Sequence, residues 1–129
     1  MSAVEFIEAS GVPESMWPNF REWFKWYEDN RLVGIAKDKG EIAGVAIARA
    51  LDATQPIEHY KHDPNGEDAF VDLTVTSIDG KSTPRSRMAM KCLLSILWDA
   101  LGPRRSLIFN RNGIRKKYDY MKFMRKALA

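Results

Sequence analysis

Cysteine is nearly absent from this sequence of 129 residues, which contains only Cys92. A lone cysteine excludes a disulfide within the chain and is consistent with a reducing compartment. Because Cys92 lies inside a helical apolar pattern, we expect a buried structural thiol and not a nucleophile.

Long apolar runs are also missing. None approaches the roughly 18–20 residues that a membrane-spanning helix requires. The N-terminal segment MSAVEFIEAS has acidic residues where a signal peptide has basic ones. The composition, with 45% apolar and 29% charged residues, is that of a globular protein. We therefore expect a soluble, cytoplasmic protein with one domain, residues 1–129, and no membrane partner.

Histidine occurs only twice, at His59 and His62, and the second is followed by Asp63. These residues lie in the polar stretch 52–68, which contains two prolines and is typical of a loop. A metal site needs more ligands than this group supplies, and the chain has no third histidine to complete it. We therefore predict a solvated loop and no metal.

Acidic residues are scarce in the C-terminal part of the chain. Residues 81–129 contain 13 Lys and Arg but only 2 Asp and Glu, a net charge of +11. Residues 1–80 contain 7 Lys and Arg and 15 Asp and Glu, a net charge of −8. This asymmetry has two explanations: an anionic partner, either a phosphate-rich cofactor or nucleic acid, or mutual neutralisation of the two parts within the fold.

The N-terminal third predicts a strand followed by an aromatic helix. Val4–Ala9 alternates apolar and polar residues, as a half-buried strand does. Ser15 is a candidate cap for a helix over Met16–Asn30. Its apolar stripe, a core face or a wall of a substrate site, consists of Trp17, Phe20, Phe24 and Tyr27, widened by Trp23.

The next segment predicts a β-hairpin. Two apolar runs, Leu32–Ala36 and Ile42–Ala50, flank the turn residues Lys39 and Gly40. Gly44 and the alanines around it give the second strand small side chains, which suits a neighbour that packs close to it.

The remainder predicts a strand, a basic loop, a helix, a short strand and a last helix. Phe70–Ile78 is the first strand, and Asp72 in its middle suggests a face that meets solvent or a site. The loop Ser82–Arg87 leads into the helix Met88–Leu101, which Gly102 and Pro103 end. The last elements are the strand Ser106–Asn110, a turn at Asn112 and Gly113, and the helix Ile114–Leu128, whose stripe contains Tyr118.

This order of elements predicts an α/β class with one mixed α+β sheet. Residues 69–110 should form a right-handed parallel crossover. In such a unit, the basic loop delivers the chain to the start of a helix, whose first amide groups have no partner within the helix and attract anions. The sequence therefore predicts an anion site after the strand Phe70–Ile78.

The order and three motifs resemble the GNAT superfamily, which transfers an acyl group from acyl-coenzyme A to an amine. Leu73-Thr74-Val75 is similar to the L-x-V pattern of the family's fourth strand. The segment Arg85–Met90 occupies the register of the family's pyrophosphate loop, R/Q-x-x-G-x-G/A. Tyr118 and Phe123 keep the Tyr and Phe of the pattern Y-x-x-x-G-F in the family's last helix.

The resemblance implies a GNAT-like acyltransferase fold and an acetyl-CoA or other acyl-CoA cofactor. It implies that Tyr118 protonates the leaving thiolate, with Asp72 as a candidate base and Glu67 and Asp68 as rivals. The acceptor is an amine of a small molecule or a peptide, and the acidic N-terminal part favours a cationic one. The implied cofactor-binding residues are Val75, Ser77, Arg85, Ser86, Arg87, Met88, Ala89, Met90 and Asn110.

The chain also departs from the family pattern. Met88 and Met90 replace the two loop glycines, the loop before Arg85 is longer, and the family's usual last strands are missing. Two alternatives therefore stand beside the enzyme. One is an inactive GNAT-like binding module whose basic C-terminal half binds nucleic acid or an acidic protein. The other is a homo-oligomer that pairs through an exposed sheet edge.

Overall fold

The computed structural model describes residues 1–52, 61–111 and 114–129. Its elements, in chain order, are helix α1 (Ala3–Ser10), a short 3₁₀-helix (Pro13–Met16), helix α2 (Phe20–Asp29), strands β1 (Val33–Asp38), β2 (Glu41–Leu51) and β3 (Asp68–Val75), helix α3 (Pro84–Leu101), strands β4 (Ser106–Arg111) and β5 (Ile114–Asp119), and helix α4 (Tyr120–Ala127). Among these described residues, no helix combines the length and the apolar character that crossing a lipid bilayer requires.

The strands form a five-stranded mixed sheet in the order β1-β2-β3-β4-β5. β1 and β2 are antiparallel, as are β4 and β5, whereas β3 and β4 are parallel and are connected through α3. The mixed α+β class and the parallel strand pair are thus confirmed. The parallel pairing runs from Asp68 and Ser106 to Val71 and Phe109, although β3 continues to Val75.

The chain divides into two compact units. The first unit contains Met1–Ile47 and Thr74–Leu93, and the second contains Ala48–Leu73 and Leu94–Ala129. β2, β3 and α3 therefore contribute residues to both units. The assignment of residues 1–129 to one domain stays a prediction.

Close packing of small residues characterises the first unit. Ala36 and Ala43 of the hairpin form a buried cluster with Ala89 and Leu93 of α3. A Cβ atom built on Gly44 would lie 3.2 Å from the Ala89 Cβ and 3.2 Å from the Leu93 Cδ1. The prediction that a neighbour packs close to the small side chains of β2 is thus confirmed, and that neighbour is α3.

The predicted strand Val4–Ala9 is wrong, because this segment is helix α1. The Ser2 hydroxyl accepts from the Glu5 amide at 3.2 Å, and the Glu5 carboxylate accepts from the Ser2 amide at 2.9 Å. This capping box satisfies two donors that a helix start otherwise leaves open. The buried residues Ala3, Phe6 and Ile7 follow the helical spacing, which the apparent alternation concealed.

Helix α2 confirms the predicted aromatic helix but begins later than expected. Ser15 belongs to the 3₁₀-helix and does not cap α2, which starts at Phe20 after Pro18. Phe20, Phe24 and Tyr27 are buried, as the stripe predicted, whereas Trp17 precedes the helix and is 41% exposed.

The hairpin prediction is confirmed. Lys39 and Gly40, with φ angles of 53° and 81°, connect β1 to β2, and two successive positive φ angles match the twist of a two-residue hairpin turn. The segment 61–67 has no helix or strand, as the loop prediction required, while residues 53–60, with His59, lie outside the described residues.

Two predictions about α3 are wrong. The helix starts at Pro84, so Arg85, Ser86 and Arg87 form its first turn and are not part of a loop. Proline suits the first helical position because it needs no amide partner there. Cys92 is exposed, because it lies beside the buried stripe of Leu93, Leu94 and Leu97 and not within it.

The predicted last helix is wrong over its first six residues. Ile114–Asp119 is strand β5, which pairs with β4, and the predicted turn at Asn112 and Gly113 lies outside the described residues. Asp119 ends the strand and caps α4, because its carboxylate accepts from the Lys122 amide at 3.0 Å. Tyr120 and Met124, not Tyr118, form the buried face of α4.

Candidate functional site

The start of α3 is closed by a reciprocal cap. The Thr83 amide donates to the Ser86 hydroxyl at 2.8 Å, and the Ser86 amide donates to the Thr83 Oγ1 at 3.1 Å. The Arg87 amide donates to the Thr83 carbonyl at 3.0 Å, and Pro84 has no amide hydrogen. The Ser86 and Arg87 amides are therefore already in use, and a phosphate would meet fewer free amides here than at an uncapped helix.

The Arg85 side chain contacts two carboxylates of the hairpin. Its Nε lies 3.3 Å from an Asp38 oxygen, and its Nη2 lies 3.8 Å from a Glu41 oxygen. About half of the Arg85 side chain is exposed, and exposed ion pairs of this kind are weak. An incoming phosphate can therefore replace these carboxylates at little cost.

A cavity of about 720 Å³ adjoins the start of α3 in the first unit. This volume is within the range of small-molecule sites. Its lining includes four hydroxyl-bearing residues, Thr76, Ser77, Thr83 and Ser86, together with charged side chains. The full lining is Met1, Phe6, Lys37, Gly40, Glu41, Ile42, Ala43, Thr76, Ser77, Ile78, Asp79, Thr83, Arg85 and Ser86.

Only some of the expected cofactor residues border this cavity. Ser77, Arg85 and Ser86 line it, and Val75 ends β3 two residues before Ser77. The segment Arg85–Met90, which the resemblance placed in a pyrophosphate loop, belongs to helix α3.

The other expected cofactor residues have different surroundings. Met88 is 67% exposed, Met90 is partly buried, and Ala89 packs against the hairpin. Arg87 is exposed, and its Nη1 lies 3.3 Å from the Ser82 Oγ. Asn110 is exposed on β4 in the second unit.

Tyr118 belongs to the second unit, where it forms an aromatic cluster on the surface. Its ring centroid lies 6.1 Å from that of Phe109 and 5.1 Å from that of Phe123. The side chain is 38% exposed on β5, two residues before α4. The role of Tyr118 as an acid stays a prediction.

Asp72 does not meet solvent, because it forms a buried ion pair with Arg49. The Arg49 Nε donates to Oδ2 at 3.1 Å, and Nη2 donates to Oδ1 at 3.3 Å. The guanidinium also lies 5.3 Å from the centre of the Phe70 ring. Arg49 was not among the residues predicted for the site, although the sequence offers a signal: a lone cation inside the apolar segment IARAL and a carboxylate in the next strand.

The rival bases are also paired. Arg105 Nη1 lies 3.0 Å from a Glu67 oxygen, and Nη2 lies 3.4 Å from both oxygens of the buried Asp68. All three carboxylates proposed from the sequence therefore contact an arginine, an arrangement that holds loops and strands in place. The neighbouring Arg104 donates to the carbonyls of Leu101, Pro64 and Gly66.

Two groups in the second unit have shifted pKa values. Burial, followed by repulsion from Arg104, lowers the pKa of His62, whose Nδ1 accepts from the Ala50 amide at 3.0 Å. Burial raises the pKa of Tyr120, which stacks on Trp98 with ring centroids 5.9 Å apart. The described residues contain no cluster of three or more candidate metal ligands.

Comparison with known proteins adds no relative to this description. No protein-family model matches the chain, and no curated protein matches it. The structure itself defines a mixed α+β protein with a hydroxyl-lined cavity at the start of α3.

Proposed function

We propose that this protein is a GNAT-like N-acyltransferase that uses acetyl-CoA or another acyl-CoA. The observation that carries the proposal is the parallel connection from β3 through α3 to β4. β3 extends beyond its last pair with β4, and the chain then lines a cavity at the start of the connecting helix. A strand that extends beyond its neighbour offers unpaired backbone groups to a ligand, and the helix start favours the ligand's negative charge.

The residues at the cavity fit part of an acyl-CoA. The backbone of Val75 and Ser77 would pair with the amide groups of the pantetheine arm. Arg85 would leave Asp38 and Glu41 to contact a phosphate, and the Thr83 and Ser77 hydroxyls would donate hydrogen bonds. The acidic groups on the rim, Glu41 and Asp79, oppose a second phosphate, so one phosphate contact is expected.

When bound, the acyl-CoA supplies a thioester that an amine can attack. The chain's own contribution is to hold the two reactants and to move protons. Tyr118 is proposed to donate its phenolic proton to the leaving sulfur. Asp72 is proposed to accept the amine proton through a water, which requires that Arg49 release one carboxylate oxygen.

Isothermal titration calorimetry with acetyl-CoA tests the coenzyme proposal. We expect binding, and Arg85→Ala should weaken it by about tenfold, because a charge-assisted hydrogen bond contributes about 1.5–3 kcal/mol and its replacement of existing ion pairs reduces that gain. Arg87→Ala is the matched control, since Arg87 is also a first-turn arginine but does not line the cavity. Absence of binding at millimolar coenzyme would remove the enzyme from consideration.

The acid is tested separately once an acceptor amine is found. Tyr118→Phe should lower kcat more than it weakens coenzyme binding. Tyr120→Phe is the control, because the Tyr120 ring is fully buried. Equal turnover in the wild type and in Tyr118→Phe would exclude Tyr118 from proton transfer.

The second candidate is a binding module without catalysis. The Thr83–Ser86 cap favours it, because the cap uses the Ser86 amide, which a pyrophosphate at the helix start would need. The exposed Met88 favours it as well, because it stands where the family has glycine for close contact with the coenzyme. The calorimetric experiment separates the two candidates, since only the enzyme requires coenzyme binding.

A further inference from the structure

The most strongly charged surface of the second unit lies on β5 and α4. All six residues of β5 are exposed, and β5 is the last strand in the sheet order. We call the following exposed cations the basic surface: Arg115, Lys116 and Lys117 on β5, and Lys122, Arg125 and Lys126 on α4.

The sequence around these cations is poor in acidic residues. Between residues 114 and 129 the sequence has one acidic side chain, Asp119, and its carboxylate caps α4. Within the part of the chain that the structure describes, Lys116, Lys117 and Lys122 form no ion pair, nor do Arg125 and Lys126. An anionic partner would therefore not have to displace protein carboxylates from these five side chains.

Aromatic rings lie beside the cations. In the β4–β5 register Lys116 is opposite Phe109 and Tyr118 is opposite Leu107, so Lys116, Tyr118 and Phe109 share one face of the strand pair. Phe123 of α4 joins this face, with its ring centroid 5.6 Å from that of Phe109. The face thus combines a cation with a partly exposed aromatic platform.

We propose that the basic surface and the Tyr118 platform bind single-stranded nucleic acid. Successive side chains of β5 alternate between its two faces, so Lys116 lies on the face of the Tyr118 platform, and Arg115 and Lys117 lie on the other face of this edge strand. Cations along an edge strand suit the phosphates of a chain that follows it, and any unpaired base can stack on an aromatic ring. An acidic peptide would use the cations but has no need of the ring platform. A second copy of this chain would place Lys116 and Lys117 against like charges.

The proposal is independent of coenzyme binding, because none of its residues lines the cavity, although it shares Tyr118 with the proposed acyltransferase mechanism. A failure to bind coenzyme would therefore leave the nucleic-acid proposal intact. Loss of nucleic-acid binding would equally leave the coenzyme proposal intact.

Fluorescence anisotropy with labelled oligo-dT and oligo-U of about 20 nucleotides tests the proposal, because such a length exceeds the site size of a small domain. Affinity should fall linearly with the logarithm of salt concentration between about 50 and 200 mM. Lys116→Glu/Lys117→Glu should abolish most binding and flatten the salt dependence. Tyr118→Ala should weaken binding at least about fivefold, the loss of roughly 1 kcal/mol from one stacked base.

The matched control is Lys39→Glu/Lys81→Glu, which makes the same charge change at exposed lysines of the first unit that do not line the cavity. It should retain most of the affinity. Circular dichroism melting establishes that each variant is folded, and Lys122→Glu/Lys126→Glu on α4 replaces the β5 variant if that variant unfolds.

Three results would overturn the proposal. The first is no change in anisotropy at about 50 mM salt, where electrostatic binding is strongest. The second is an equal loss of affinity in the control variant. The third is polyglutamate binding as tight as oligo-dT binding, together with unchanged affinity in Tyr118→Ala, which would identify an acidic peptide as the partner.

Discussion

Arg49 and Asp72 show how much a single pair of residues can determine. Both side chains are almost fully buried, and two hydrogen bonds connect them. Neither charge can be removed alone without leaving the other in a poorly solvated place. Arg49 and Asp72 have further contacts besides this pair, which adds to the cost of losing either one.

Replacement of one partner should therefore be more damaging than replacement of both. We expect Asp72→Ala to lower the free energy of unfolding by about 3–5 kcal/mol, and Arg49→Met to have a similar effect. The double variant Arg49→Met/Asp72→Leu should lose much less free energy of unfolding than the sum of the two single losses. Urea unfolding measures all three.

The control pair is Arg21 and Glu8, which have the same bidentate geometry on the surface. Arg21→Ala should have a much smaller effect, because water replaces the partner. Additive losses at Arg49 and Asp72 would contradict the interpretation as a coupled buried pair.

His62 should make stability depend on pH. Its folded pKa is lowered, mainly by burial, so the unfolded chain binds a proton more readily. The stabilising contribution is therefore complete above the pKa of an unfolded histidine, about 6.5, and is lost as the pH falls through the lower pKa of the folded state.

The measurement is the melting temperature of wild type and His62→Asn between about pH 5 and 7.5, the range that brackets a histidine titration. His59 is kept in both proteins so that its own titration cancels. We expect the wild type to lose more stability on acidification than His62→Asn does. Parallel curves of melting temperature against pH would show that His62 does not contribute to the pH dependence of stability.

At the scale of the elements, the position of α3 depends on its close contact with β2. This helix brings Ala89 and Leu93 against Gly44 of β2, and a Cβ atom on Gly44 would also lie 3.3 Å from the Val75 carbonyl oxygen. The helix thus approaches the strand because Gly44 has no side chain. The same helix starts at the candidate cavity, so its position affects the site.

Gly44→Ala should destabilise the protein by about 1 kcal/mol, and Gly44→Val by about 2–3 kcal/mol, because extra atoms in a filled contact force the helix outward. Ala89→Gly removes the nearest opposing Cβ, although it costs about 1 kcal/mol of helix propensity. The double variant Gly44→Ala/Ala89→Gly should therefore be more stable than the two single losses predict. Strict additivity in thermal unfolding would argue against this contact.

At the scale of the whole molecule, the net charge of +3 conceals an acidic first part and a basic second part. β5, the last strand in the sheet order, carries three consecutive cations. Charged residues on an edge strand oppose pairing with another copy. The alternative of a homo-oligomer through this edge is therefore disfavoured at low salt.

We expect the wild type to sediment as a monomer at low ionic strength. Lys116→Thr/Lys117→Thr should self-associate more, because it removes the repulsion and adds residues that favour strands. Added salt should reduce the difference in self-association between the two proteins, since it screens the lysine charges. A wild-type dimer at low salt that dissociates in Lys116→Thr/Lys117→Thr would reverse this interpretation.

The sequence by itself determined the features that depend on local chemistry. The hairpin at Lys39 and Gly40, the strand Ser106–Asn110 within β4, and the apolar stripe of α3 all follow from turn residues and apolar spacing. The sequence also predicted the close approach at Gly44, because a strand of small residues needs a close neighbour. The mixed α+β class then followed from the order of the elements.

Only the tertiary structure decided the remaining features. Ile114–Asp119 is a strand because β4 supplies hydrogen-bond partners, although its sequence is compatible with a helix. Asp72 is buried because Arg49 of the neighbouring strand neutralises it, and no local pattern reports such a partner. Likewise, the capped start of α3 and the Arg85 ion pairs depend on contacts that form only when the chain folds.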